Sequence, residues 1–179
     1  MQVIAPPMTE HRLIMRMVAL IREQGRRVEE TNQVDVLFVD TALDFIRIYA
    51  DRTHHGKEEA ILFRDAAKKK LAADHRQLLD ELLEDHDFGR KTVRAIDEEK
   101  GKYVAGDRSS VRVIAEKMKA LSEFYPEHIR KEDNVFFPAA AKYLSTQEQD
   151  KMLREFWDFD MKMIHMKYNL VVENAEKLR

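Results

Sequence analysis

The sequence predicts an all-α protein, on three observations. Gly and Pro are scarce, five and four in 179 residues, too few to punctuate a turn-rich β fold. Apolar residues recur at spacings of three and four along most of the chain, the period of a helix with one buried face. A metal-ligand pattern occurs twice, and each copy fits the same helical period. The hydrophobic fraction of 44% supports a packed core, and the length suits one domain over 1–179.

The elements follow in order. Thr9 is placed to cap a first helix running to about Glu30, with Leu13, Ile14, Met17, Val18 and Ile21 on one face. A loop at 31–33 leads to a second helix, about Val34 to Lys70. Its buried side is Leu37, Phe38, Leu43, Phe45, Ile46 and Tyr49, and Gly56 loosens it locally. The third helix spans about Ala73 to Lys100 on the stripe Leu78, Leu79, Leu82 and Leu83. After a loop at 101–107, Ser109 or Ser110 caps a fourth helix to about Leu144, with Val111, Ile114, Met118, Leu121 and Phe124 inward. Pro126 predicts a kink or broken turn there. Ser145-Thr146-Gln147-Glu148 forms a capping box that opens a fifth helix through about Leu178. Two stripes run along it, one through Phe156, Phe159, Met163, Met166 and Leu170, the other through Trp157, Met161, His165, Tyr168 and Val172. A helix apolar over so much of its circumference is expected to be largely buried.

Composition excludes several functions. Lys and Arg total 31 against 33 Asp and Glu, a net charge of −2, which is neither a nucleic-acid footprint nor a polybasic membrane anchor. The absence of Cys removes disulfides, iron–sulfur clusters, thiolate zinc sites and thiol nucleophiles. Met1 to Pro7 lacks the basic flank and apolar run of a signal peptide. No apolar run reaches membrane-spanning length, so a cytoplasmic protein is expected.

The repeated pattern carries the chemistry. His11 precedes His54-His55-Gly56-Lys57-Glu58-Glu59, and His86 precedes His128-Ile129-Arg130-Lys131-Glu132-Asp133. His11 and His86 are 75 positions apart; His54 and His128, like Glu58 and Glu132, are 74 apart. Residues at i and i+4 stand on one helix face, roughly 5–6 Å apart, so His54 with Glu58, and His128 with Glu132, reach one metal pair. An imidazole binds one metal terminally, whereas a carboxylate can bridge two. His11 and His86 complete a near-symmetric set of four His and two Glu. Such ligation suits iron, manganese or zinc better than calcium or magnesium, in the manner of dinuclear sites inside helical bundles. The bundle arrangement based on Glu-x-x-His is absent.

On these residues the chain resembles the hemerythrin-like, or HHE cation-binding, family, from Glu10-His11 to about Tyr168. The resemblance is strongest at His54-His55-Gly56-Lys57-Glu58-Glu59-Ala60-Ile61-Leu62-Phe63 and at His128-Ile129-Arg130-Lys131-Glu132-Asp133-Asn134-Val135-Phe136-Phe137-Pro138. It implies an up-down four-helix bundle, here with an additional C-terminal helix, around an oxo- or hydroxo-bridged pair of iron ions. The usual ligands are five His and two carboxylates. By position, His11 and His54 correspond to ligands of one iron, His86 and His128 to ligands of the other, and Glu58 and Glu132 to the bridges. The family's second His on the third helix is replaced here by Arg90, and His165 on the fifth helix is the expected fifth His ligand.

The remaining candidates are expected to play smaller parts. His55 lies about 100° around the helix from His54, which turns it away from the metals or into a supporting role. Glu59 and Asp133 read as solvated or supporting carboxylates, and His75 as a surface residue. Tyr49 and Tyr125 are close enough in sequence to offer a phenol to the site, although a packed bundle tyrosine is the commoner outcome. Ile14, Met15 and Ala50 are the expected apolar lining.

Three His on one iron and two on the other would leave one iron an open position for dioxygen or another small diatomic ligand. The functions implied are a carrier or sensor, an enzyme handling peroxide or nitric oxide, or a metal-responsive module acting through a partner or a homo-oligomer.

Overall fold

The computed structural model describes the backbone of residues 2–177 and the side chains of residues 2–167. It is helical, with no strand among the described residues. Helix α1 is Ala5–Thr31, α2 is Val36–Phe45, α3 is Arg64–Ala66, α4 is Ala73–Val104, α5 is Ser110–Lys131, α6 is Phe137–Tyr143 and α7 is Thr146–Lys177. Three wider π-helical segments interrupt the regular helices: π1 at Ile46–His55, π2 at Glu58–Phe63 and π3 at Glu132–Phe136.

Local chemistry sets the ends. Pro6 and Pro7 occupy the first turn of α1, where a missing N–H costs nothing. The helix therefore starts before Thr9, whose hydroxyl donates to the Ala5 carbonyl at 2.9 Å instead of capping. Asn32 closes α1 in the left-handed region, φ 53°, with its N–H on the Val28 carbonyl at 3.0 Å. Asp35 caps α2 by accepting from the Phe38 N–H at 3.0 Å. The capping box forms as expected: Ser145 N–H donates to Glu148 Oε2 at 2.8 Å, and Glu148 N–H donates to Ser145 Oγ at 3.3 Å.

Pro126 does not break α5. A proline removes the hydrogen bond to the carbonyl four residues earlier, here that of Ser122. Arg22 of α1 donates to that carbonyl at 3.0 Å, so the freed acceptor is satisfied and the helix continues.

Helices α1 and α4 pack along α5, α2 and π1 lie against α4, and α7 covers π1 and π2. Two apolar clusters result. One holds Ile14, Val18, Ile21, Ala50, Ile114 and Leu121; the other holds Leu62, Phe63, Leu82, Phe136, Phe137 and Phe156. The repeated His and Glu residues fall between them on the chain.

The fifth rod is less buried than its two stripes suggest. Met152, Phe156 and Met163 are buried, whereas Trp157 is 71% exposed and Met161, Ile164 and Met166 are exposed. Among the described residues one face of α7 is buried against the other helices, and the Trp157 stripe lies outward. Tyr168, Leu170 and Val172 lie outside the described side chains.

Candidate metal centre

Six of the seven residues expected as ligands converge. His11, His54, His86 and His128 are each no more than 2% exposed, and Glu58 and Glu132 are wholly buried. Glu58 reaches both sides, with Oε1 3.3 Å from His54 Nε2 and Oε2 3.5 Å from His86 Nε2. Glu132 does the same, with Oε2 3.2 Å from His11 Nε2 and 3.4 Å from His128 Nε2, and Oε1 3.7 Å from His86 Nε2. Each carboxylate thus lies between imidazoles of the two repeats, as a bridging group must.

His165 is not brought to this cluster. It is exposed on α7, on the side of that helix away from the other elements. The position near His86 and His128 is taken by His55, buried and stacked on the His86 ring at 3.8 Å between centroids. The donors fall into two groups, each with its ligand atoms within 4.8 Å of one another: His11, His54, Glu58 and Glu132 in one, His55, His86 and His128 in the other.

The helical wheel mislocated His55 because the local helix is not an α-helix. Both histidines end π1. A π-turn closes i→i+5, so neighbouring side chains turn less than the about 100° of an α-helix, and His54 and His55 both face inward. Their successor Gly56 makes room for α7: a Cβ there would lie 2.8 Å from Phe159 Cζ. No repeat counterpart to His55 exists, since the position 74 further on is Ile129, also buried.

A shell of carboxylates orients the imidazoles. His54 Nδ1 pairs with Glu10 Oε2 at 2.8 Å, His11 Nδ1 with Asp133 Oδ1 at 2.8 Å, His86 Nδ1 with Glu59 Oε1 at 2.7 Å and His128 Nδ1 with Asp85 Oδ2 at 3.2 Å. Metal-bound histidines characteristically donate their outer N–H to a carboxylate. Two of these acids, Glu59 and Asp133, were legible as supporting groups; Glu10 and Asp85 were missed, though each immediately precedes a repeated His. The pairing crosses the repeat, since Glu59 of the first half holds His86 of the second, and Asp133 of the second holds His11 of the first.

A further layer ties these acids down. Lys57, wholly buried, contacts Glu10 and, at 3.0 Å, Asp160 of α7. Its repeat counterpart Lys131 contacts Asp85. Arg90, at the position where a further His was expected, donates to Asp51 at 2.7 Å and to Glu59 at 2.6 Å.

The electrostatics are those of a site built for cations. Burial and the adjacent Glu132 push the Glu58 carboxyl well above its usual range. Burial disfavours the Glu132 carboxylate too, but His128, His11 and His86 hold it well below that range. Burial likewise opposes the His11 imidazolium, yet Asp133 and Glu132 outweigh it and push His11 up to about 9. Burial lowers His54 to about 4, and burial with the imidazoles of His86, His54 and His128 drives His55 well down. The inward atoms of these groups have no hydrogen-bond partner: His11, His86 and His128 Nε2, both His55 nitrogens, and all four oxygens of Glu58 and Glu132. Buried polar atoms are rarely left unpaired. Two cations among them would satisfy these atoms and favour both carboxylates ionised, so the residues present fit a metal centre.

The remaining candidates are placed as follows. Ile14 and Ala50 are buried and Met15 half-buried. Tyr125 is buried with its ring over His55 at 6.4 Å. Tyr49 is half-buried beside Phe45. His75 is remote, its Nδ1 3.0 Å from the Tyr143 hydroxyl.

A family model described as the hemerythrin HHE cation binding domain matches residues 7–140. Uncharacterized protein Mb2018 of Mycobacterium bovis and uncharacterized protein Rv1995 of Mycobacterium tuberculosis are each 25% identical over 151 residues, covering 84% of this chain and 58% of theirs. The chain thus spans less than two thirds of the length of these relatives. No solved structure gives a significant match.

Proposed function

The chain belongs to the hemerythrin HHE cation-binding family, and from that premise we propose a non-heme di-iron protein that binds or senses dioxygen or a related small ligand. Its fold reads as an up-down four-helix bundle with an additional C-terminal helix, forming one domain over 1–179. The observation that carries the function is a cluster of seven buried side chains, six of which turn polar atoms without a protein partner into its centre.

In this reading His11 and His54 would hold one metal and His55, His86 and His128 the other, with Glu58 and Glu132 as the carboxylates shared between them. His55 replaces His165 as the fifth imidazole, because His165 faces away on α7 while His55 stacks on His86. Imidazole with carboxylate fits iron, and manganese or zinc would use the same donors. When bound, a ferrous pair supplies two electrons to a small oxidant. The protein contributes the rest. Glu10, Asp133, Glu59 and Asp85 fix the imidazole tautomers, leaving Nε2 inward on each. Ile14 and Ala50, near the two-His side, keep water and protons away. The unequal His count leaves room on that side for the small ligand.

One observation favours an enzyme for peroxide, nitric oxide or an organic substrate as the alternative. A groove of about 470 Å³ opens between α1, α2, π1 and α7, lined by Met17, Phe45, Tyr49, Met163 and Ile164 with Glu10 at its wall. That volume suits a small molecule, and Glu10 connects it to His54. No helix among the described residues is long and apolar enough to cross a membrane; a cytoplasmic setting remains part of the proposal, as does self-association.

Anaerobic reconstitution with ferrous iron, metal quantification and optical spectra on exposure to dioxygen test the function. About two irons per chain and a reversible visible band support a carrier or sensor; rapid irreversible oxidation supports the enzyme. Absence of bound transition metal, with His54→Ala as stable as the wild type, refutes both.

A further inference from the structure

Four of the five clustered histidines rest their Nδ1 on a carboxylate at 2.7–3.2 Å. His55 does not. Its Nδ1 is 3.6 Å from Asp51 Oδ1, beyond a direct hydrogen bond, and both ring nitrogens lack a partner although the residue is 2% exposed. The gap coincides with a small cavity of about 20 Å³, lined by Arg47, Asp51, His55, Arg90 and Tyr125 together with Gly89 and apolar neighbours.

We propose that this cavity binds one ordered water that joins His55 Nδ1 to Asp51, making Asp51 the positioning residue of the fifth imidazole. A water needs about 10–15 Å³ of such space and two to four polar partners. The cavity supplies the space, and its lining supplies the unpaired His55 nitrogen and the Asp51 carboxylate on either side of a 3.6 Å gap. The hydrogen bonds have compatible directions: His55 Nδ1–H donates to the water, and the water donates to Asp51.

Asp51 is itself held by Arg90, whose Nε donates to it at 2.7 Å while Nη2 donates to Glu59 at 2.6 Å. Glu59 in turn holds His86. Arg90 therefore sets two carboxylates that orient two imidazoles of one cluster, His86 directly and His55 through the water. The missing His at this position is replaced by a guanidinium that supports ligands instead of being one. Without the water His55 can take either tautomer; with it, Nδ1 carries the proton and Nε2 is free to bind.

The proposal rests on His55 being a ligand, so the test separates the two. Protein loaded with manganese, which is redox-quiet in air, is crystallised, and metal release to a chelator is timed for wild type, Asp51→Asn, Asp51→Ala and His55→Ala. The expected result is one water bonded to both His55 and Asp51. Asp51→Ala should release metal about 10- to 100-fold faster, the usual effect of losing an orienting partner. Asp51→Asn, which keeps an acceptor oxygen, should fall between Asp51→Ala and wild type. A dry cavity, or Asp51→Ala releasing metal at the wild-type rate while His55→Ala releases it faster, overturns the water and leaves His55 a ligand. Wild-type release from His55→Ala overturns the ligand assignment and the positioning role together.

Discussion

Replacing Lys57 by Met is the perturbation with the most to say about how the site is held. Met keeps an unbranched stem and removes the ammonium from a wholly buried position. Glu10 and Asp160 then face each other without a cation. Removing one partner of a fully buried ion pair costs about 3–5 kcal/mol. Here the Glu10 side chain is 16% exposed and that of Asp160 41%, so water relieves part of the loss, and about 2 kcal/mol is the reasoned figure. For a chain of this size that lowers Tm by about 4–8 °C.

The repeat supplies an internal control. Lys131 occupies the corresponding position, but its side chain is 21% exposed and its acidic partner is Asp85. Lys131→Met should therefore cost about 1 kcal/mol or less. Thermal unfolding followed by circular dichroism gives both numbers, and hydrogen exchange reports whether α7 is released in Lys57→Met. A cycle with Asp160→Asn isolates the tether, because the two changes should be non-additive. Equal shifts for the two lysines, or unchanged exchange in α7 with additive effects, would refute the reasoning.

Other outcomes follow from the same geometry. His55→Ala should lose bound metal, whereas His165→Ala should retain it, both read by elemental analysis; the reverse result would restore His165 as the fifth ligand. Metal loading at pH 7 should release protons. His11, pushed up to about 9, holds a proton at that pH until cations displace it, and burial raises Glu58 toward its protonated form. Calorimetry in buffers of different ionisation heat counts them, and a buffer-independent heat would contradict the assignment. Gly56→Ala should gain about 0.5–1 kcal/mol of helix preference yet speed hydrogen exchange in α7, because its Cβ meets Phe159. Unchanged exchange would mean that the ring swings aside.

Much of this was legible in the sequence, for definite reasons. The helix faces and the capping box were readable because they depend on residues three and four apart. The convergence of the six repeated His and Glu residues was readable because imidazole and carboxylate recur at matched offsets. What failed were inferences that needed a neighbour. Pro126 breaks an isolated helix, but Arg22 arrives from α1 to take the stranded carbonyl. His165 sits on an apolar stripe, yet that stripe meets no other element among the described residues. His55 was turned outward by assuming a regular α-helix, and a π-turn brings it in. Glu10 and Asp85 had a signal that went unused, an acid directly before each repeated His.

The unmatched position at His55 reaches further than the number of imidazoles. With His55 opposite Ile129, the two halves turn unequal numbers of imidazoles inward. A half-chain paired with a copy of itself would build the four His and two Glu with no way to tell its two metals apart. An electron added to such a pair would have no preferred side, and neither would an incoming ligand. In the proposed centre one extra imidazole would give it a polarity, and the direction of its chemistry would then be written at residue 55 and, by omission, at residue 129.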